Sequence, residues 1–475
     1  MVHNVNLIDR EEETAFLEEA YSESKSQLLV LYGRRRVGKT YLLQHFMRNK
    51  KHAYFLCTKG NEVEQIRLLS RMIGETFNDT ALILSPFSDW RTLFIYLHEK
   101  AQKDKFLLVI DEFPYLITAN SSITSIFQKY WDEYLSNSKI MIILCGSSIA
   151  MMESEVLAHK SPLYGRRTGQ WKVKPMNFEN ALKFFPKGAS IKEAVRIFAI
   201  TGGVPFYLAD LDLGKTAIEN VLERIARKGK MLYEEGEILL KEELRDPSTY
   251  FSMLEAMSAG NTKQMEIANR IGMASTALPR YLSTLERLEY VEKIAPVTEP
   301  KKSKKTIYKI KDYFMDFWFK FIYPNRSYIE DNNFKKFREF LDVYFEKHVS
   351  FVFEGIFMDF LKGQNAKDLL PVYITKIGTW YGYYRDGGVG ERKQVEIDVV
   401  ALDENGDGII FAECKWQDLS YRGAEKLIAE LKEKSKRVEW NSNKRQEYFA
   451  IFARKIGGKE NLRKNGFLAW DMEDF

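Results

Sequence analysis

Eight residues, GRRRVGKT from Gly33 to Thr40, constrain this chain more than any other stretch, because an apolar run (QLLVLYG) precedes them and an amphipathic helical pattern (TYLLQHFM) follows. They fit G-x-x-x-x-G-K-[ST]. Gly33 and Gly38 let successive backbone N–H groups curl around an anion at a helix N-terminus, which is how backbone alone grips phosphate. Lys39 adds a charge for the β and γ oxygens, and Thr40 offers a hydroxyl to Mg2+. Arg34, Arg35, Arg36 and Val37 complete the loop as spacing residues.

The same region alternates short apolar runs with longer helical patterns: HAYFLC, KFLLVIDEF and KIMIILCGSS follow the loop. Apolar runs without polar alternation predict parallel strands covered on both faces, with ligands at their carboxyl ends. KFLLVIDEF ends in Asp111 and Glu112. Asp111 can stand beside the metal, and Glu112 can polarise the attacking water. No guanine-selecting N-K-x-D follows the loop, so the expected ligands are ATP and Mg2+.

A chain of 475 residues exceeds one core and fits about three packed domains. Hydrophobic residues at 45% and charged ones at 29% exclude disordered and low-complexity classes. The net charge of +5 is too small at this length to name a partner, so only local clusters inform. Cys57, Cys145 and Cys414 have no CxxC spacing, which argues against a zinc module or disulfide framework and suits a reducing compartment. No run is long enough to span a bilayer and the first residues lack an apolar secretion segment, so the expectation is cytoplasmic, with no membrane partner.

Five segments are expected. Residues 1–174 form the α/β core, and 175–241 a helical lid interrupted by the turn TGGVPFY. In 242–312, TKQMEIANRIGMASTALPRYLSTLERLEYV reads as two helices joined at Gly272, with Ser275 capping the second. Two strand-like runs follow, around a tip carrying Lys301, Lys302, Lys304 and Lys305: a helix-turn-helix with a basic wing, for which DNA is the expected partner. Residues 313–345 form an aromatic helical connector, whose DYFMDFWFKFI reads as core in preference to a base-stacking surface. Residues 346–475 return to strands as a second α/β unit.

Within that unit, VEIDVVALDENGDGIIFAECKW places Asp398 and Glu413 near the ends of consecutive strands, and the period of two puts Glu413 and Lys415 on one face. A hairpin brings the three together. Two carboxylates can hold a divalent metal, with the lysine positioning or deprotonating a water; a structural role on the hairpin is the other reading.

Taken together, these motifs resemble the AAA-like P-loop ATPases of an archaeal and bacterial group that includes relatives of the archaeal replication initiators. NLIDREEE is similar to that group's opening segment, and TGGVPFY to its lid motif. The resemblance implies that Ser147 or Ser148 of MIILCGSS senses the γ-phosphate. It also implies that Arg166 or Arg167 of PLYGRR contacts phosphate, in cis or from a second copy of the chain. The C-terminal segment resembles the PD-(D/E)XK nuclease superfamily, and more closely a domain of unknown function appended to these ATPases. On that likeness Glu354 of FVFEGIF is the extra acidic position and the fold is restriction-endonuclease-like. Two functions follow: an ATP-driven enzyme that acts on DNA through a metal-dependent nuclease-like domain, or a non-cutting ATP-controlled switch that binds DNA or a protein.

Overall fold

The four short runs pair side by side and a fifth strand, which the sequence did not mark, joins them. In the computed structural model, which describes residues 7–300, 303, 305–384 and 393–475, β1 (Gln27–Tyr32), β2 (His52–Leu56), β3 (Phe106–Asp111), β4 (Ile140–Gly146) and β5 (Gly169–Lys172) form a parallel sheet. Its order is β2-β3-β4-β1-β5. Every residue of β1, β3 and β4 is buried, which is why these runs show no alternation. Odd and even positions still serve different layers. Leu29, Leu31 and Val109 pack with α1 (Glu11–Ser22) and α2 (Lys39–Phe46) through Leu17, Leu42 and Phe46. Leu28, Val30 and Ile110 face the opposite core. Because β4 lies between β1 and β3, the loop after β1, the acidic end of β3 and the serines after β4 emerge at one sheet edge.

The chain divides into two units: one runs to Met176 and takes in Val204–Phe206, and the other comprises Asn177–Gly203 and Tyr207–Phe475. The second begins with helices, among them α4 (Ile191–Thr201), as the loss of strand signal predicts. Further on, α5 (Gln264–Arg270) and α6 (Leu278–Arg287) precede the antiparallel pair β6 (Val291–Ile294) and β7 (Ile307–Ile310). Gly272 takes a left-handed φ of 68° between the helices. The expected cap does not form. Helix α6 starts after Ala277 with proline in its first turn, and the Ser275 carbonyl instead accepts from Gln264 Nε2 at 2.9 Å. Lys301, Lys302 and Lys304 lie outside the described residues; Lys305 pairs with Glu299 at 2.6 Å.

Phe314, Phe317, Trp318, Phe319 and Phe321 are at most 2% exposed, so the aromatic run is core and not a stacking platform. Helix α7 (Phe334–Ala366) then runs unbroken for 33 residues. The border expected at 345/346 therefore falls inside one helix.

The second sheet has the order β12-β11-β10-β9-β8. Strands β8 (Lys376–Tyr384), β9 (Lys393–Leu402) and β10 (Gly408–Leu419) pair antiparallel. Strand β10 then pairs parallel with β11 (Gln446–Ile456), across the helix α8 (Tyr421–Ser435), and β11 with β12 (Leu468–Asp471). Two irregularities interrupt the ladders. Trp380 faces Ile397 while Gly378 faces Val400, so β9 carries an extra residue at Asp398–Val399. Lys415 faces Ala453 while Asp418 faces Lys455, so β10 carries another just after Lys415. Among the described residues no helix is long and apolar enough to cross a membrane.

Candidate functional site

At the first sheet's edge the loop closes on itself. A Cβ on Gly33, whose φ is 152°, would lie 2.2 Å from the Val173 carbonyl oxygen, so only glycine fits there. Gly38 (φ 92°) opens α2. Buried Lys39 donates from Nζ to the carbonyls of Gly33 and Arg34, both at 2.8 Å, bracing the curl of the loop. Arg36 also turns left-handed (φ 70°) and sets its guanidinium 4.4 Å from the Phe206 ring centre. Val37 is buried, and its carbonyl accepts at 2.9 Å from Arg10, which also donates to the Lys174 carbonyl at 2.8 Å. Arg35 lies within the same loop.

Thr40 Oγ1 donates to Asp111 Oδ2 at 2.8 Å, joining the start of α2 to the end of β3. Tyr54, in β2, donates its hydroxyl to the same oxygen at 2.7 Å. Burial, followed by the Asp111 charge, pushes the Tyr54 pKa well above its ordinary value, so the phenol stays a donor. The Glu112 N–H donates to Asp111 Oδ1 at 2.9 Å. Glu112 itself sits at φ 55°, a left-handed conformation that costs a non-glycine residue about 1–3 kcal/mol. Its Oε2 accepts from Ser147 Oγ at 2.8 Å. The Thr40 hydroxyl and Asp111 carboxylate form a pair of hard oxygens that suits Mg2+.

Lys39, Thr40, Asp111, Glu112 and Ser147 are thus brought together, while Ser148 precedes a short helix, Ile149–Met151. Arg166 instead pairs with Asp132 of α3 (Ile123–Glu133) at 3.0 Å, and Arg167 donates to the Leu157 carbonyl. Tyr54 and Arg10 were not anticipated; the only signal for Tyr54 is its place near the carboxyl end of a strand beside β3.

In the second unit, Asp398 Oδ2 accepts from the Cys414 N–H at 2.8 Å and from Lys415 Nζ at 3.2 Å. Lys415 Nζ also donates to Glu413 Oε2 at 2.8 Å, and Lys434, from α8, donates to Glu413 Oε1 at 2.6 Å. The hairpin therefore gathers Asp398, Glu413 and Lys415, and α8 adds a lysine that sequence reasoning missed. Burial and the Glu413 charge raise the Asp398 pKa. Burial alone would lower Lys415, but Asp398 and Glu413 outweigh it and push it up, so it stays an ammonium. On α7, burial and then Asp398 push Glu354 up to about 8. Among the described residues no group of three or more His, Cys, Asp or Glu side chains is gathered so as to hold a metal ion.

Comparison with known proteins matches residues 7–211 to a family described as an ATPase domain predominantly from Archaea. Residues 318–427 match a family of archaeal and bacterial proteins of unknown function. An uncharacterised protein of Methanocaldococcus jannaschii is 36% identical over 469 residues, 98% of this chain and 99% of its own. An uncharacterised ATP-binding protein of the same organism is 53% identical over 47 residues, 10% of this chain and 80% of its own. A Walker-type ATPase of Pyrococcus abyssi matches in structure with a TM-score of 0.51 and 21% identity, over 66% of this chain and 96% of that one, a likeness of fold. The chain belongs to the archaeal ATPase-domain family, as a P-loop ATPase whose later residues also match the family of unknown function.

Proposed function

We propose that this ATPase turns over Mg2+-ATP to control action on DNA, and that its C-terminal domain cleaves phosphodiester bonds. The loop from Gly33 to Thr40, including Arg34, Arg35, Arg36, Val37 and Gly38, receives the triphosphate on its N–H groups, and Lys39 neutralises its outer oxygens. Thr40 and Asp111 would hold the magnesium, which supplies charge neutralisation to the phosphates when bound. Glu112 takes the proton of the attacking water, and Ser147 sets where that carboxylate points. Arg166, in a surface ion pair with Asp132, is assigned to the phosphate of a second copy in a homo-oligomer. The five-segment division, with its winged helix at 242–312, is part of this reading. DNA enters through the helix pair and hairpin, with the basic tip on its backbone. A cytoplasmic protein fits these parts.

The observation that carries the cutting activity is the convergence of Asp398, Glu413 and Lys415 between two strand irregularities. Asp398 and Glu413 would hold a divalent metal, which supplies polarisation of the phosphate. Lys415, kept as an ammonium, then serves as a cation beside that phosphate and not as the base. A specific observation favours the non-cutting switch: both Glu413 oxygens already accept from lysines.

The deciding experiment incubates the whole chain with Mg2+ or Mn2+ and single-stranded, duplex or branched DNA, or RNA, with and without ATP. Cleavage by wild type that disappears in Asp398→Ala, with ATP hydrolysis intact, is expected. No cleavage under any of these conditions transfers the function to the switch.

A further inference from the structure

At the edge of the second sheet lies a cleft of about 410 Å³, within the roughly 300–1,000 Å³ of small-ligand sites. Four parts of the second unit line it: strand β8, Val395 of β9, the residues Thr298, Glu299 and Lys305 between β6 and β7, and Arg437 and Glu439 just after α8. Strand β8 contributes four consecutive-region aromatics, Trp380, Tyr381, Tyr383 and Tyr384. The Arg437 guanidinium stacks 3.6 Å from the Tyr384 ring centre. The walls are fixed. Tyr381 donates its hydroxyl to the Lys305 carbonyl at 3.0 Å, and Val297 N–H donates to the Thr379 carbonyl at 3.0 Å, which ties the connector to β8. Tyr383 is 42% exposed.

Aromatic rings beside an arginine plane suit a flat, π-bearing ligand, and a base within a single strand is such a ligand. Glu299 and Glu439, also in the lining, balance Lys305 and Arg437, and Glu299 pairs with Lys305 at 2.6 Å, so the lining carries no net charge. The cleft is therefore a poorer match to a free polyanion than to a base whose phosphates lie outside it. Along the chain, Lys434, which donates to Glu413 of the acidic cluster, precedes Arg437 by three residues, and Val395 of the lining precedes Asp398 by three.

We propose that this cleft stacks an unpaired nucleotide of a single-stranded nucleic acid, DNA or RNA, in the domain that carries the acidic cluster. The inference rests on the nucleic-acid reading of the C-terminal domain and adds to it a strand type and a seat for one base.

The test uses the full chain with fluorescein-labelled oligothymidylate, oligouridylate and a duplex of matched length. Tyr383→Ala and Arg437→Ala are expected to weaken single-strand binding by roughly 5- to 150-fold each, the range for losing one base stack, and to leave duplex binding and ATP hydrolysis unchanged. Tyr383→Phe retains binding. Which of the two strands loses affinity identifies DNA or RNA as the source. Irradiated oligonucleotides carrying 5-iodouridine or 5-iododeoxyuridine place the crosslink in the peptide spanning 380–384 if the base sits there. Wild-type affinity for both strands in the two alanine variants, with crosslinks elsewhere, overturns the cleft and leaves the nucleic-acid reading standing. Failure of wild type to bind single strand or duplex overturns both.

Discussion

Replacing Glu112 by glutamine isolates one proton acceptor and disturbs almost nothing else. The amide has the same shape, it can still accept from Ser147 Oγ, now 2.8 Å from the carboxylate, and it leaves the left-handed backbone at φ 55° as it was. Stability should move by no more than about 0.5 kcal/mol, the range for substitutions that create neither cavity nor buried orphan. Loss of a general base removes about 100- to 10,000-fold of rate. At 1.36 kcal/mol per factor of ten, that raises the barrier by about 3–5 kcal/mol. Nucleotide affinity should hold, because Lys39, Thr40 and Asp111 keep their contacts. Phosphate release under saturating Mg2+-ATP, alongside equilibrium binding of a fluorescent ATP analogue, measures both quantities. Wild-type turnover in Glu112→Gln with unchanged affinity would refute the assignment of Glu112 as the base.

Tyr54→Phe deletes a hydrogen bond worth about 1.5–3 kcal/mol to a charged group. The Mg2+ concentration for half-maximal ATPase should rise while nucleotide binding in EDTA stays put; an unchanged Mg2+ profile removes Tyr54 from the site. Alanine at Lys301, Lys302, Lys304 and Lys305 together should weaken DNA binding across sequences and flatten its salt dependence, and an unaltered slope of affinity against salt returns the tip to a solvated hairpin. Glu354, at about 8 when folded and 4.5 ordinarily, holds in the folded state a proton that the unfolded chain loses between those values. Its contribution is therefore whole below about 4.5 and is lost as pH rises through about 8. Glu354→Gln should flatten the fall of thermal stability across that window, and parallel melting profiles would contradict the burial argument.

What the sequence disclosed followed from how strongly each segment's physics was written locally. Strands β1, β3 and β4 are buried on both faces, so their composition alone marks them, and the loop, Asp111 and Glu112 sit at their ends. Strand β5 has only four residues, none of them buried, and β8 mixes glycine with tyrosine, so neither leaves a periodic trace. Tyr54 and Lys434 act across the fold, one from a neighbouring strand and one from a helix, and distance along the chain hides both. Ser275 failed as a cap because local preference yielded to the proline-led start of α6. One hidden feature did leave a mark. Val395 and Ile397 occupy odd positions while Val400 and Leu402 occupy even ones, yet all four pack with one core. That change of parity within a single strand is the signature of the extra residue.

The slip in β9 separates two duties that a regular strand would bind together. On a regular strand, the face that a side chain addresses is dictated by its neighbours' burial, so a polar group at an inward position strains the core and one at an outward position faces solvent. Here the apolar residues on either side of Asp398 stay in the core, and the surplus residue takes up the difference in phase. Asp398 keeps one structural duty, because its carboxylate accepts from the buried Cys414 N–H of the neighbouring strand. Exchanges that keep an acceptor for that N–H, such as Asp398→Asn, can therefore change the cluster's charge while the core on either side keeps its packing.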